Sequence, residues 1–278
     1  MRRATVARGG CFLSLALLGL GLGGCSSDDS GAAAPTTSAA PTTSPPSPPA
    51  PQVGACYVLT FAEAAEPTSD VSPVACSGRH TAVTIRVGTL DPVVDGHLLA
   101  IDSETIQQQV AARCRARFAD VVGGTEETRR LSRLTVVWFT PTLAQGDQGA
   151  RWFRCDVVAL AGRDRLARLP RSVKGALATD DALDHYGTCG TTSPAADRFR
   201  RVICSQPHRW RARATIDLPA GTAYLGKAAR ATADAACRDI EARLAGDVLR
   251  LRWSFEWPTR EQWDAGQRHG YCWTPDPA

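Results

Sequence analysis

Residues 141–155 read PTLAQGDQGARWFRC, and residues 258–272 read PTREQWDAGQRHGYC. Both stretches fit one frame, Pro-x7-Gly-x-Arg-x3-Cys: Pro141, Gly149, Arg151 and Cys155 in the first, Pro258, Gly266, Arg268 and Cys272 in the second. Four residue types recurring at identical spacing mark an internal duplication. Working outward, each frame is preceded by a helical segment with a cysteine in its middle, Cys114 or Cys237. Earlier still come a Cys-x3-His pair, Cys76 with His80 or Cys204 with His208, and a lone cysteine, Cys56 or Cys189.

The periodicity of each copy predicts its elements. Trp210, Ala212, Ala214, Ile216 and Leu218 alternate with polar residues, which is the pattern of a half-buried strand. Val83, Ile85 and Val87 stand in the matching place, with their parity shifted by one relative to the histidine, so a bulge or a register change is expected there. Ile106, Val110, Cys114, Phe118 and Val121 form one apolar helical stripe, and Ala233, Cys237, Ile240 and Leu244 form the other. A second strand follows each helix, at 134–140 and in the alternation of Leu249, Leu251, Trp253, Phe255 and Trp257, and a last strand holds Cys155 or Cys272. The expected fold is α+β: two tandem small disulfide-stapled domains, each roughly β-β-α-β-β with a helix packed on an antiparallel sheet. The boundaries fall at 53–161 and 185–278, with 162–184 as the connector and Leu169-Pro170-Arg171 as its break.

The N-terminus addresses the compartment. Arg2, Arg3 and Arg8 precede an apolar run from Cys11 to Leu22, too short for a comfortable membrane span, and Leu22-Gly23-Gly24-Cys25 is a lipobox. Residues 1–24 are read as a lipoprotein signal peptide and Cys25 as the lipidated mature N-terminus, which places the protein on the extracytoplasmic face of the cell membrane. Residues 25–52 form a Pro/Ser/Thr-rich disordered stalk, whose Ser44-Pro45-Pro46-Ser47-Pro48-Pro49 favours extended polyproline II. The chain has 32 basic and 28 acidic residues, and the three signal-peptide arginines leave 29 against 28 in the mature part, so nucleic-acid binding is not indicated.

Of the ten cysteines, eight remain after Cys11 and Cys25 are set aside, an even number in an exported chain. A helix cysteine on the buried face reaches the last strand, giving Cys114–Cys155 and Cys237–Cys272, and leaves Cys56–Cys76 and Cys189–Cys204. Four cysteines allow three pairings in each half.

The second half, with Val202-Ile203-Cys204-Ser205-Gln206-Pro207-His208-Arg209, the cysteine helix, Trp257-Pro258, Gln262-Trp263-Asp264-Ala265-Gly266-Gln267-Arg268 and Tyr271-Cys272-Trp273, resembles the septum formation-related domain of exported and membrane-anchored actinobacterial proteins. The first half resembles it more loosely: Ser77-Gly78-Arg79-His80 replaces the Ser-Gln-Pro-His form, and Gly146 stands where the second half has Trp263. The resemblance implies an extracytoplasmic envelope domain with a link to division.

The chemical candidates are few. His80 and His208 could be metal ligands or bases, but Cys-x3-His is not a usual zinc spacing, and the favoured role is hydrogen bonding to backbone at a strand start. Asp180, Asp181 and Asp184 lack the glycine and distal glutamate of a calcium loop and read as solvated. Arg209, Arg211 and Arg213 line a polar strand face that could meet anionic polymer or lipid, and Trp263, in a polar loop, could stack on a glycan. The sequence has no Gly-x-Ser-x-Gly, no His-Glu-x-x-His and no phosphate loop. The expectation is therefore a non-catalytic binding or scaffolding module without metal or cofactor. It is held to the membrane through Cys25 and meets an envelope protein or wall polymer through His80, His208, Arg209, Arg211 or Trp263. The alternatives are a cell-wall hydrolase using His208 with nearby carboxylates and a ligand-sensing lipoprotein.

Overall fold

The computed structural model describes residues 47–218, 223–224, 230–244, 249 and 251–276; the signal peptide, the lipobox with Cys25 and the stalk up to residue 46 lie outside them. Among the described residues no helix is long and apolar enough to cross a membrane.

The first half runs β1 (Cys56–Tyr57), α1 (Phe61–Ala65), β2 (Ala82–Thr89), the short strands β3 (Val93–Val94) and β4 (His97–Leu98), α2 (Glu104–Val122), α3 (Glu126–Leu131), β5 (Leu134–Phe139), α4 (Leu143–Asp147), β6 (Trp152–Gly162) and β7 (Arg165–Leu166). The second runs α5 (Ala182–Tyr186), β8 (Thr188–Gly190), β9 (Arg201–Ile203), β10 (Trp210–Asp217), α6 (Arg230–Leu244), β11 (Ser254–Glu256), α7 (Arg260–Asp264) and β12 (His269–Pro275). The antiparallel sheets are ordered β1-β2-β6-β5 and β8-β10-β12-β11, so corresponding strands occupy corresponding places; β7 extends one sheet and β9 the other. The stripe of α2 (Ile106, Val110, Cys114) covers one face of the first sheet, and Ala233 and Cys237 of α6 cover the second, although Leu244, at the end of its stripe, is exposed. Four disulfides tie the layers together: Cys56–Cys76, Cys114–Cys155, Cys189–Cys204 and Cys237–Cys272. Disulfides persist in oxidising compartments, so the folded part is extracytoplasmic.

The repeated frame builds the same small device twice. Thr142 caps α4 and Thr259 caps α7, each in a reciprocal capping box with the glutamine three residues on. The glycine then turns with positive φ, 92° at Gly149 and 95° at Gly266. The arginine folds back onto a carbonyl of the short helix, Arg151 to Gly146 at 2.7 Å and Arg268 to Trp263 at 2.5 Å. The cysteine follows on the last strand, where it reaches the helix bridge.

Strand details depart from simple alternation. A bulge lies between Thr84 and Arg86 of β2, and a second one lies between Ala212 and Ala214 of β10. A bulge inserts one residue and exchanges the faces beyond it. Trp210 and Ala212 therefore join Leu131, Tyr271 and Trp273 on one face, whereas Ala214, Ile216 and Leu218 pack on the α6 side. Of the strand expected over 249–257, the described residues form β11 at Ser254–Glu256, and the Arg252 N–H donates instead to buried Glu241 of α6 at 3.4 Å.

The connector is not a free spacer. Leu169, Val173, Leu177 and Ala182 are buried in the first core beside Ile203. Further contacts join the halves: a bridge between Ser132 and Gly187, Arg130 paired with Asp217 at 2.7 Å, and the Tyr271 hydroxyl donating to the Arg130 carbonyl at 3.2 Å. Arg133 is half-buried at this junction, and desolvation together with the charge of Arg201 pulls its guanidinium down to about 10. The end of the segment read as a stalk is also engaged: Pro48 and Pro51 are half-buried while Pro49 and Ala50 are exposed.

Candidate functional site

The second histidine sits at the entry to β10, where a turn closed by the Gln206 N–H on the Ile203 carbonyl brings the chain onto the sheet. His208 Nδ1 lies 2.7 Å from the Gln206 carbonyl and Nε2 lies 3.2 Å from Asp276 Oδ2. Strand register explains the second contact. Trp210 pairs with Pro275 across β10 and β12, so the next residue, Asp276, comes level with Arg209 and donates its N–H to that carbonyl at 2.9 Å.

Asp276 is the hub. Arg211 Nε donates to Oδ2 at 2.5 Å, a guanidinium N–H of Arg213 donates to Oδ1 at 2.8 Å, and Arg211 also reaches Asp184 at 2.6 Å. Burial opposes ionisation of Asp276, but the Arg211 bond, the Arg213 and Arg211 charges and the His208 contact outweigh it and hold the carboxyl below the usual range. The cluster is thus a set of matched charges with both carboxylate oxygens occupied. Asp184, read as part of a solvated acidic group, belongs to it, whereas Asp181 pairs with exposed His185 at 3.3 Å. Arg209 alone of the arginine series stays exposed.

Ligand atoms of Cys189, His208 and Asp276 gather within 4.8 Å. A metal would need a thiolate there, and the Cys189 sulfur is bonded to Cys204.

The structure corrects two of the expected surface residues. His80 is 1% exposed: Nδ1 lies 3.0 Å from the Gly78 carbonyl and Nε2 3.0 Å from that of Pro170, so the connector closes over it. Trp263 is 6% exposed rather than set in a polar loop. The capping box makes residues 260–264 a helix, which turns the indole inward to stack on Trp257 at 6.3 Å beneath the Arg268 guanidinium at 4.1 Å. In the first half its place falls to Ile101, whose Cδ1 lies 2.6 Å from where a Gly146 side chain would begin.

Sequence reading missed Asp276, whose place depends on the β10–β12 register. It also missed the outer face of the first sheet, where Tyr57, Trp152 and Arg154 meet the loop Ser69–Pro73 around a cavity of about 590 Å³.

No curated protein and no solved structure matches the chain. The family model described as Septum formation matches residues 53–272 in one span that covers both halves and the connector. The chain belongs to the septum formation family.

Proposed function

We propose that the chain is a non-catalytic, lipid-anchored binding and scaffolding module of the cell envelope that serves septum formation. The observation that carries the non-catalytic reading is the state of His208 and Asp276. Both ring nitrogens face an oxygen, and both carboxylate oxygens are held by arginine. A general base needs a free lone pair directed at a substrate, and a general acid needs a proton it can release at working pH; an Asp276 held ionised between two guanidinium groups offers neither. This pair is also the one that the wall-hydrolase alternative requires. The lipobox supports the anchor, and exposed Arg209 offers a contact for an anionic wall polymer or an envelope protein. We further read the halves as two tandem copies of one ancestral unit, supported by the shared strand order, bridges and bulge positions.

Imaging tests the reading. A C-terminal, export-competent fluorophore is expected to gather at the division septum, and Cys25→Ala is expected to release it from the membrane. A uniform envelope signal would remove the septal assignment. Turnover of purified peptidoglycan by the protein, lost in a folded His208→Ala variant, would replace the scaffold with the hydrolase.

A further inference from the structure

The cavity on the outer face of the first sheet, opposite α2, has a definite polarity. Trp152 is 7% exposed, and its Nε1–H has no hydrogen-bond partner among the described residues. Gln145 uses its side-chain oxygen to accept the Thr142 N–H at 3.1 Å, which leaves its NH2 group. Ser69 Oγ accepts from Arg154 at 3.1 Å and from the Val71 N–H at 3.3 Å, which leaves its hydroxyl hydrogen. Arg154 carries donors only. The cavity therefore offers donors from Gln145, Ser69 and Arg154, with the unpaired Trp152 N–H buried in its wall, and a fitting ligand brings acceptors.

Charge decides which acceptors. Arg154 is already matched by Asp156 at 3.1 Å, and Asp70 stands exposed at the mouth. There is no surplus positive charge to offset the desolvation of an anion, so neutral carbonyls fit better than a carboxylate or phosphate. Polyproline II is a chain of neutral acceptors: prolyl nitrogens carry no hydrogen, and the backbone forms no internal hydrogen bonds. Its rings pack on aromatic walls, here Tyr57 and Trp152. One such strand already lines the cavity. Residues 48–52 form a wall, and Pro48 and Pro51, three apart as polyproline II requires, are its half-buried members.

We infer that this groove is a receptor for a second proline-rich strand, and that the strand is the stalk of another copy of this chain, Pro41-Thr42-Thr43-Ser44-Pro45-Pro46-Ser47-Pro48-Pro49. The stalk of the same molecule is the competing occupant, and sedimentation separates the two. The inference rests on the lipid-anchored scaffold reading, since anchoring on one surface raises the effective concentration of neighbouring copies.

The test titrates a synthetic peptide of residues 41–51 against the exported chain carrying Cys25→Ser, followed by tryptophan fluorescence. Saturable binding is expected. It is weakened about threefold to tenfold by Trp152→Phe, which removes the indole N–H and keeps an aromatic wall of smaller area, and likewise by Gln145→Glu, which keeps the acceptor that caps α4. Gln145→Glu should keep the parent thermal midpoint, because it loses no bond made within the folded chain, whereas Trp152→Phe lowers the midpoint by the buried ring atoms it removes and is compared at a temperature where it is fully folded. Peptides with alanine at 45, 48 and 51 should not bind. Sedimentation of the full chain should show a concentration-dependent dimer that Pro45→Ala with Pro46→Ala abolishes, since these two positions precede the wall strand 48–52. Absence of saturation in the millimolar range, or affinity indifferent to both protein variants, overturns the groove. Peptide binding by a chain that stays monomeric overturns the second copy as the occupant. Septal imaging is read separately, so failure here leaves the scaffold reading standing.

Discussion

Asp156→Ala should be among the most damaging single substitutions in the first half, while replacing its partner as well should recover most of the loss. Asp156 is fully buried and Arg154 is 2% exposed, with Nε and Oδ2 3.1 Å apart. The Thr84 hydroxyl donates to the other carboxylate oxygen at 2.7 Å, and the guanidinium lies 3.8 Å from the Tyr57 ring centroid and 4.7 Å from that of Phe139. Burial pushes the Asp156 carboxyl above its ordinary range and outweighs both Arg154 and the Thr84 bond, so the pair is costly to bury even when matched. Removing Asp156 alone strands a buried cation and should cost about 3–5 kcal/mol. Arg154→Leu with Asp156→Val removes both desolvation penalties. What remains is a lone Thr84 hydroxyl, about 1–3 kcal/mol, against a gain of about 1–4 kcal/mol from apolar replacement. The double variant should therefore lie between about 2 kcal/mol less and about 3 kcal/mol more stable than the parent, with a coupling of at least about 2 kcal/mol between the sites. Urea unfolding of the parent, Arg154→Leu, Asp156→Val and the double variant, with disulfides intact, closes the cycle, and Asp156→Ala is measured beside it. Additive losses, or a double variant as unstable as Asp156→Ala, would refute the reasoning. The pH dependence has a definite sign. A carboxyl raised in the folded state contributes stability below its unfolded value of about 3.9 that is lost as pH rises through the folded one, so the parent should gain on the double variant as pH falls.

Three further outcomes follow from the same coordinates. Opening Cys237–Cys272 or Cys114–Cys155 with serines, across sequence separations of 35 and 41, should cost about 4 kcal/mol, and opening Cys189–Cys204, across 15, about 3 kcal/mol, as read from denaturant midpoints. Gly149→Ala and Gly266→Ala should each cost about 1–2 kcal/mol, because both turns need positive φ while a methyl meets only open space or ordinary contact; equal thermal shifts are expected from the two halves. His269, lowered by burial and by Arg130, has a folded value below its unfolded one of about 6.5; its contribution is present above that pH and lost as pH falls through the folded value, so amide protection factors at the Arg130–Tyr271 junction, corrected for the intrinsic exchange rate, should fall toward pH 5 in the parent and less in His269→Gln.

What was legible in the sequence is what local chemistry forces into a fixed spacing. The Pro-Gly-Arg-Cys frame is readable because a capped turn, a positive-φ glycine, a carbonyl-bound arginine and a bridge cysteine leave no freedom in their separation. The helix stripes are readable because Ile106, Val110 and Cys114 must face one way. In β10 apolar residues stand on both faces, Ala212 before the bulge and Ala214 after it, so the alternation runs on unbroken and the stretch from Trp210 to Leu218 looked like one face although it is split at Ala212. Trp263 looked exposed because its neighbours are polar, and only the Thr259–Gln262 capping box reveals the short helix that turns it inward. The hub at Asp276 and the donor-lined cavity are gathered from segments far apart in the chain, which periodicity cannot join.

The two halves share a framework and differ in what their outer faces do. Aligned on the last-strand cysteines, Arg154 and Asp156 of the first sheet correspond to Tyr271 and Trp273 of the second. Aligned on Cys56 and Cys189, Tyr57 corresponds to Gly190. In the second half the missing side chain at Gly190 leaves room for Phe199 and Trp273, whose ring atoms lie 2.7 and 3.3 Å from where a Cβ would stand. That aromatic face then closes against Leu131 of α3, so it is consumed in joining the halves. In the first half the same positions hold an ion pair under Tyr57, and the face ends in a cavity whose indole N–H is unpaired. A buried ion pair is a poor way to gain stability, and an unpaired donor is worse. Among the described residues both stand on an outer face that is not consumed in joining the halves, and this is the observation on which the proposed groove in the first half rests.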